Sequence, residues 1–276
     1  MTLAGRNIFF RIAIIFCAVS TLMVLAASFF ALPAYKNLEE NTRRPADFLQ
    51  AFAGRFLEAN YFAVHASIVM AVLFSLAGIF LIFYFFEQTM VPEILYIAIF
   101  ILSFSFEVIR LFLPLCMVYD IPSFYLLITL RILLFARYFG IFSLFTAGIC
   151  ATGLEVQMTR NLILIISIAT LAITFGVPID IQSWDTSLNI KFGFKSLFRM
   201  TEIIVYLITV ISFFVAVNVR GSKEYVYIGN GLILTLAGRY LFLYFDNLAG
   251  IIPGILMLSF GTWFVCSKLH KIYLWM

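Results

Sequence analysis

Charge is what this chain has least of. Only 12% of its 276 residues are charged, while 64% are hydrophobic. A soluble domain is about a quarter charged and about half apolar, so a soluble globular protein is excluded. A disordered chain and a nucleic-acid binder of the usual basic kind fall with it. The net charge of +4 asks for no acidic partner, because the inner loops of membrane proteins favour Lys and Arg anyway. Nucleic acid is not an expected partner; membrane lipids are.

Chemistry-bearing motifs are also missing. Cys17, Cys116, Cys150 and Cys266 lie far apart in apolar segments, and no CxxC spacing offers a metal or redox pair. They read as buried thiols acting as small apolar residues. There is no Gly-x-Ser-x-Gly, no His-Glu-x-x-His and no phosphate-binding P-loop. Acids and histidines do not gather at metal-ligand spacing. No apolar segment holds an interior lysine for a retinal Schiff base. No catalytic residue, metal or cofactor is expected, and enzymes rank third among the function classes.

What the chain does have is long apolar runs. About 20 apolar residues cross a bilayer. The candidate spans are residues 8–31, 61–86, 92–118, 123–146, 162–177, 202–219, 226–245 and 248–269. The first is too long for a signal-peptide core of about 7–15 residues, and it reads as a retained helix. The expected fold is an all-α polytopic membrane protein, one integral membrane domain over residues 1–276. It is a bundle of eight transmembrane helices, or of seven if the last stretch is partly interfacial. Counted over all segments, Lys and Arg divide evenly between the two sides. Arg220, Lys223, Lys268 and Lys271 sit right at helix ends, and they decide for both termini in the cytoplasm of a cell-membrane protein.

Two loops stand out, both on the expected outer side. In residues 36–60, Pro45 and Asp47 suit a helix start, and Phe48, Phe52 and Phe56 share one face. This is a short extracytoplasmic helix, either in the membrane interface or capping the bundle. In residues 178–199, Leu188, Ile190, Phe192 and Phe194 alternate with polar residues, a β-hairpin-like pattern around residues 185–187. It either covers the outer mouth or offers an edge to a partner strand. Each loop precedes three helices on short connections, which suggests a parallel repeat.

The few intramembrane charges need explaining, since each is costly unless paired or wet. Ser103, Glu107, Arg110 and Pro114 form one narrow stripe on the third span. The fourth holds Arg131 and Arg137, about 120° apart. Arg131 lies deepest, and Arg137 reads as snorkelling toward the inner end. On the seventh, Gly231, Thr235, Gly238, Arg239, Phe242 and Asp246 share one arc, where small residues admit a neighbouring helix. Glu107 should contact an arginine, with Arg110 and Arg131 the leading candidates. His65 reads as a hydrogen-bonded histidine rather than a proton relay.

Two arrangements fit these charges. One is a set of interhelical ion pairs. The other is an outer-half site where Arg110, Arg131 and Arg239, with Glu107 and Asp246, take an anionic lipid headgroup or small acid. The second makes the chain a binding, signalling or complex-anchoring module with output through a protein partner. The alternative is a small transporter or lipid-handling protein using the same arginines. A transporter should show a helix broken near mid-membrane. Pro114 and Pro253 fall near span ends instead, which favours the first class.

Overall fold

The computed structural model describes residues 3–40, 56–57, 61–86, 91–112, 122–153, 159–184 and 190–274. The helices are α1 (Leu3–Glu40), α2 (Tyr61–Phe86), α3 (Pro92–Ser103), α4 (Ser123–Ala151), α5 (Thr159–Gly176), α6 (Lys195–Arg220), α7 (Glu224–Tyr244) and α8 (Leu248–Leu274). A 3-10 segment, Phe104–Leu111, continues α3. Two strands, β1 (Ile179–Trp184) and β2 (Ile190–Phe192), lie between α5 and α6.

Among the described residues, seven helical stretches are long and apolar enough to cross a membrane, as in a polytopic membrane protein. The fifth of the eight expected spans is the exception: α5 has an apolar run of only Arg160–Gly176. At 1.5 Å per residue this is about 26 Å, short of the roughly 30 Å hydrocarbon core. The shortfall is therefore in the fifth span and not in the last stretch, since α8 runs unbroken to Leu274.

Helix ends differ from the expected ones for local reasons. α1 continues to Glu40, so the first long loop starts later than residue 36. The interfacial helix expected around Phe48 and Phe52 lies outside the described residues; Phe56 and Leu57 are helical. α4 continues to Ala151 and stops at Thr152-Gly153, where Gly153 takes a positive φ of 113° that a side chain would resist. Its last carbonyls are met from α6: Arg220 donates from Nε to Ala151 O (3.0 Å) and from Nη2 to Cys150 O (3.3 Å).

The third span changes character partway. Ser103 Oγ donates to Phe100 O (2.6 Å) and Ser105 Oγ to Leu102 O (2.7 Å). Both hydroxyls are satisfied by the helix's own backbone where the α-helical course gives way to the 3-10 turn. Eight residues of 3-10 helix are long for that form, and they carry Glu107 and Arg110.

α3 is the centre of the bundle: 78% of its spanning stretch is buried, against 22% for α6. α4 runs antiparallel beside it, with Gly140 against Ser103. α6 runs parallel to α4, since Tyr138 meets Phe198 (ring centroids 6.3 Å), Gly148 meets Ser212 and Ala151 meets Arg220. α5 returns along α4 in the opposite sense, bringing Thr174 to Arg131. β1 and β2 pair antiparallel, Ile179 opposite Phe192 and Trp184 opposite Ile190, with an irregularity between Asp180 and Trp184. Residues 185–189 lie outside the described residues.

The small residues of α7 are closed off by α8. A Cβ on Gly238 would run into the backbone of Gly254 and Leu258, and one on Gly254 into the backbone of Phe242. Gly261 sits against Thr235 and Gly231 in the same way. Backbones this close gain dispersion along the whole seam, which holds helices together where surrounding lipid gives no hydrophobic drive.

Candidate functional site: a buried arginine–carboxylate cluster

Glu107 projects from the 3-10 segment into the bundle and is 1% exposed. Arg137 of α4 meets it fork to fork, Nε to Oε1 at 2.7 Å and Nη2 to Oε2 at 2.6 Å. Such paired bonds are the strong form of the guanidinium–carboxylate contact. Arg110 Nη1 stands 3.6 Å from Oε2. In a 3-10 helix residues i and i+3 eclipse, so Arg110 lies directly along the helix from Glu107.

A second centre lies beside the first. Glu202 of α6 accepts a hydrogen bond from the Tyr244 hydroxyl (2.6 Å) and has Arg239 Nη1 at 3.6 Å. Arg239, 1% exposed, also donates to the Tyr206 hydroxyl. Glu202 and Tyr206 are one turn apart on α6, and Arg239 and Tyr244 both reach Glu202 from α7. Arg199 covers the Tyr244 ring at 5.6 Å. The two centres join where Arg239 Nη2 donates to the Arg137 carbonyl (3.5 Å). Asp246, just past α7, acts electrostatically on Arg110. Three buried guanidinium groups thus share two buried carboxylates, with a third acid at the rim.

The arginines turn to carboxylates, and the structure reassigns two of them. Arg137 does not snorkel: it is 7% exposed, lies at the midpoint of the 29-residue α4 and is the main partner of Glu107. Arg131, one of the two expected partners, donates instead to Thr174 O and lies over the Phe175 ring (5.2 Å). The two arginines are about 120° apart on α4, so one faces α3 and the other α5. The depth ranking reversed because α4 extends to Ala151, which moves its midpoint toward Arg137. Arg131 is eight residues from Ser123, about 12 Å along the axis.

The sequence reading does not place Glu202, Tyr206 or Tyr244 in the expected site. The i, i+4 spacing of Glu202 and Tyr206 was the available signal. It also passed over Glu93, which is fully buried at the opposite end of α3 with Arg220 Nη2 at 4.0 Å. That acid sits in the first turn after Pro92, where the helix N-terminus favours negative charge. His65 Nε2 is 2.7 Å from Ser28 Oγ, and Ser28 donates to Val24 O, so the imidazole is the donor to the hydroxyl. Comparison with protein families, with characterised proteins and with solved structures finds no match to the chain.

Proposed function

We propose that the protein is an integral membrane binding and signalling module, or the anchor of a membrane complex. It takes an anionic lipid headgroup or small acid at Arg110 and Arg239, beside Glu107 and Asp246, and passes the change to a protein partner. The observation that carries this reading is the bond from Arg239 to the Arg137 carbonyl, which joins two ion-pair centres into one cluster. The 3-10 segment, α4, α6 and α7 each contribute a charged group to it. An acid that takes a guanidinium fork displaces a carboxylate, and the carboxylate is costly to leave buried and unpaired. Binding then favours a different packing of those helices, which is how a ligand shifts a conformational equilibrium. Arg131 drops out of the proposed site because it serves α5.

The same reading includes eight crossings, with both termini on the cytoplasmic side of the cell membrane. Support comes from the parallel course of α4 and α6: the chain between them has to return across the bundle, and α5 is the segment that does so. Arg220, Lys223, Lys268 and Lys271 gather at one end, which the charge rule puts in the cytoplasm. β1 and β2 then cover the outer mouth as a hairpin; Ile179 and Val177 pack on Leu134 and Tyr138 of α4.

A transporter is the second reading, and one observation favours it. The 3-10 segment breaks the α-helical course of the third span at the charges themselves, the kind of interruption on which transporter sites are built.

The test is binding of short-chain phosphatidylglycerol and of citrate to the detergent-solubilised protein, followed by thermal shift. The expected result is a loss of about tenfold or more in affinity, 1.4 kcal/mol, in Arg110→Gln and Arg239→Gln. Arg131→Gln should stay close to the parent protein. The lipid arm alone responding identifies a headgroup, and the citrate arm alone a soluble acid. Unchanged binding of both probes in both Gln variants makes the arginines structural braces. Uptake of labelled citrate into proteoliposomes would decide for the transporter.

A further inference from the structure

α2 and α8 leave between them a groove of about 550 Å3. It runs from Met70 and Ile255 at one end to Phe86 and His270 at the other. At 1.5 Å per residue that is about 23 Å along either helix. A groove of this length between two helices admits an extended hydrocarbon chain laid along them. Leu73, Ala77 and Leu81 wall it on α2, and Thr262, Trp263 and Cys266 on α8. Ile101 of α3 forms the floor under Gly78, whose missing side chain leaves the depth: a Cβ there would stand 2.8 Å from Ile101 Cγ2. Thr262 donates its hydroxyl proton to the Leu258 and Ser259 carbonyls of its own helix, so the lining is apolar in effect.

Both walls belong to helices long and apolar enough to cross a membrane, and their rims are apolar and open. Phe80 and Tyr84 on α2 and Leu256, Phe260 and Trp263 on α8 are all more than half exposed. The medium over the groove is therefore hydrocarbon. At about 23 Å the groove is longer than one leaflet's half of a roughly 30 Å core, so a chain lying in it is held along its whole length. The two ends differ in charge. His270 closes one end edge-on to Phe85 and Phe86. Beside it Lys268 and Lys271 share the single carboxylate of Glu224, at 3.1 and 3.4 Å. Arg220 and Lys223 lie at the same end of the bundle, where the described acids are Glu93 and Glu224. A surplus of cations at a membrane surface attracts anionic lipid.

We infer that the α2–α8 groove is a binding site for one acyl chain of an anionic phospholipid, with the headgroup at the His270–Lys271 end and the chain directed toward Met70. None of the groove's lining residues belongs to the arginine cluster, so this site stands or falls separately from the proposed ligand there.

The experiment uses the full chain in phosphatidylcholine vesicles doped with phosphatidylglycerol that carries a mid-chain diazirine. Irradiation and peptide mapping locate the adducts. The expected adducts concentrate on Tyr61–Phe86 and Leu248–Leu274. Ala77 faces the open groove, so Ala77→Phe fills it without entering the bundle, and labelling should fall about tenfold. Leu164→Phe, on the exposed side of α5, should leave it unchanged. The same diazirine on phosphatidylcholine should label less, and Lys271→Gln should narrow that difference. Labelling spread evenly over all exposed helix faces, or unchanged by Ala77→Phe, would overturn the site as ordinary annular lipid. Equal labelling by the two headgroups in the parent protein would overturn the anionic assignment.

Discussion

Arg137 and Glu107 face each other through two near-parallel hydrogen bonds, 2.7 and 2.6 Å long, between the middle of α4 and the 3-10 segment that follows α3. Removing one partner of a buried pair strands the other charge, at a cost of about 3–5 kcal/mol. Glu107→Gln should therefore lower the melting temperature in detergent, and by more than Glu202→Gln. Glu202 keeps a tyrosine hydroxyl as a partner that a Gln side chain can also serve. Equal and small shifts in the two variants would show that Glu107 is reached by water.

How much of this was readable beforehand depends on the length scale. The membrane-crossing segments are written in runs of some 20 residues, and those runs are legible. That Glu107 must meet an arginine was also legible, because an unpaired acid there is too costly. Which arginine it meets was not. The choice between Arg131 and Arg137 turns on which face of α4 packs on the 3-10 segment, a contact between residues 30 apart in sequence. The change to 3-10 geometry was equally hidden. Ser103 and Ser105 bond to carbonyls three residues back as Ser67 and Ser143 do inside plain α-helix, so no local residue signals the change.

The α7–α8 seam gives a packing prediction. The backbones of Gly254 and Leu258 fill the space beside Gly238, so a side chain there has no room to turn away. Gly238→Leu should part the two helices and abolish a monodisperse elution peak in detergent. Ile233 is 48% exposed on the same helix, and Ile233→Leu should be neutral. A well-folded Gly238→Leu protein would mean that α7 and α8 do not pack as described.

The parallel course of α4 and α6 gives a topological one. In a background without native cysteines, single cysteines at Thr152, after α4, and at Gly193, before α6, bracket α5. They should react with an impermeant maleimide from opposite sides of the membrane, Gly193 from outside. Ser222, in the turn after α6, should share the side of Thr152. If Thr152 and Gly193 label from one side, α5 is a re-entrant or interfacial helix, and the two termini lie on opposite sides.

The link between the two charge centres gives the last. Arg239 belongs to the Glu202 centre, yet it donates to the carbonyl of the residue that grips Glu107. If the bond is a working connection, weakening one centre changes what the other is worth. A double-mutant cycle on Glu107→Gln and Glu202→Gln, read by unfolding in mixed micelles, should show a coupling of about 0.5–3 kcal/mol, the range for residues within one network. Distant, independent sites add to within about 0.3–0.5 kcal/mol. Arg220→Gln supplies the comparison, since it lies at the opposite end of α6 and its effect should add to that of Glu107→Gln. Additivity between Glu107→Gln and Glu202→Gln would reduce the cluster to two separate braces. An acid held at Arg239 would then have no route to Arg137, and the proposed signalling role would lose its carrier.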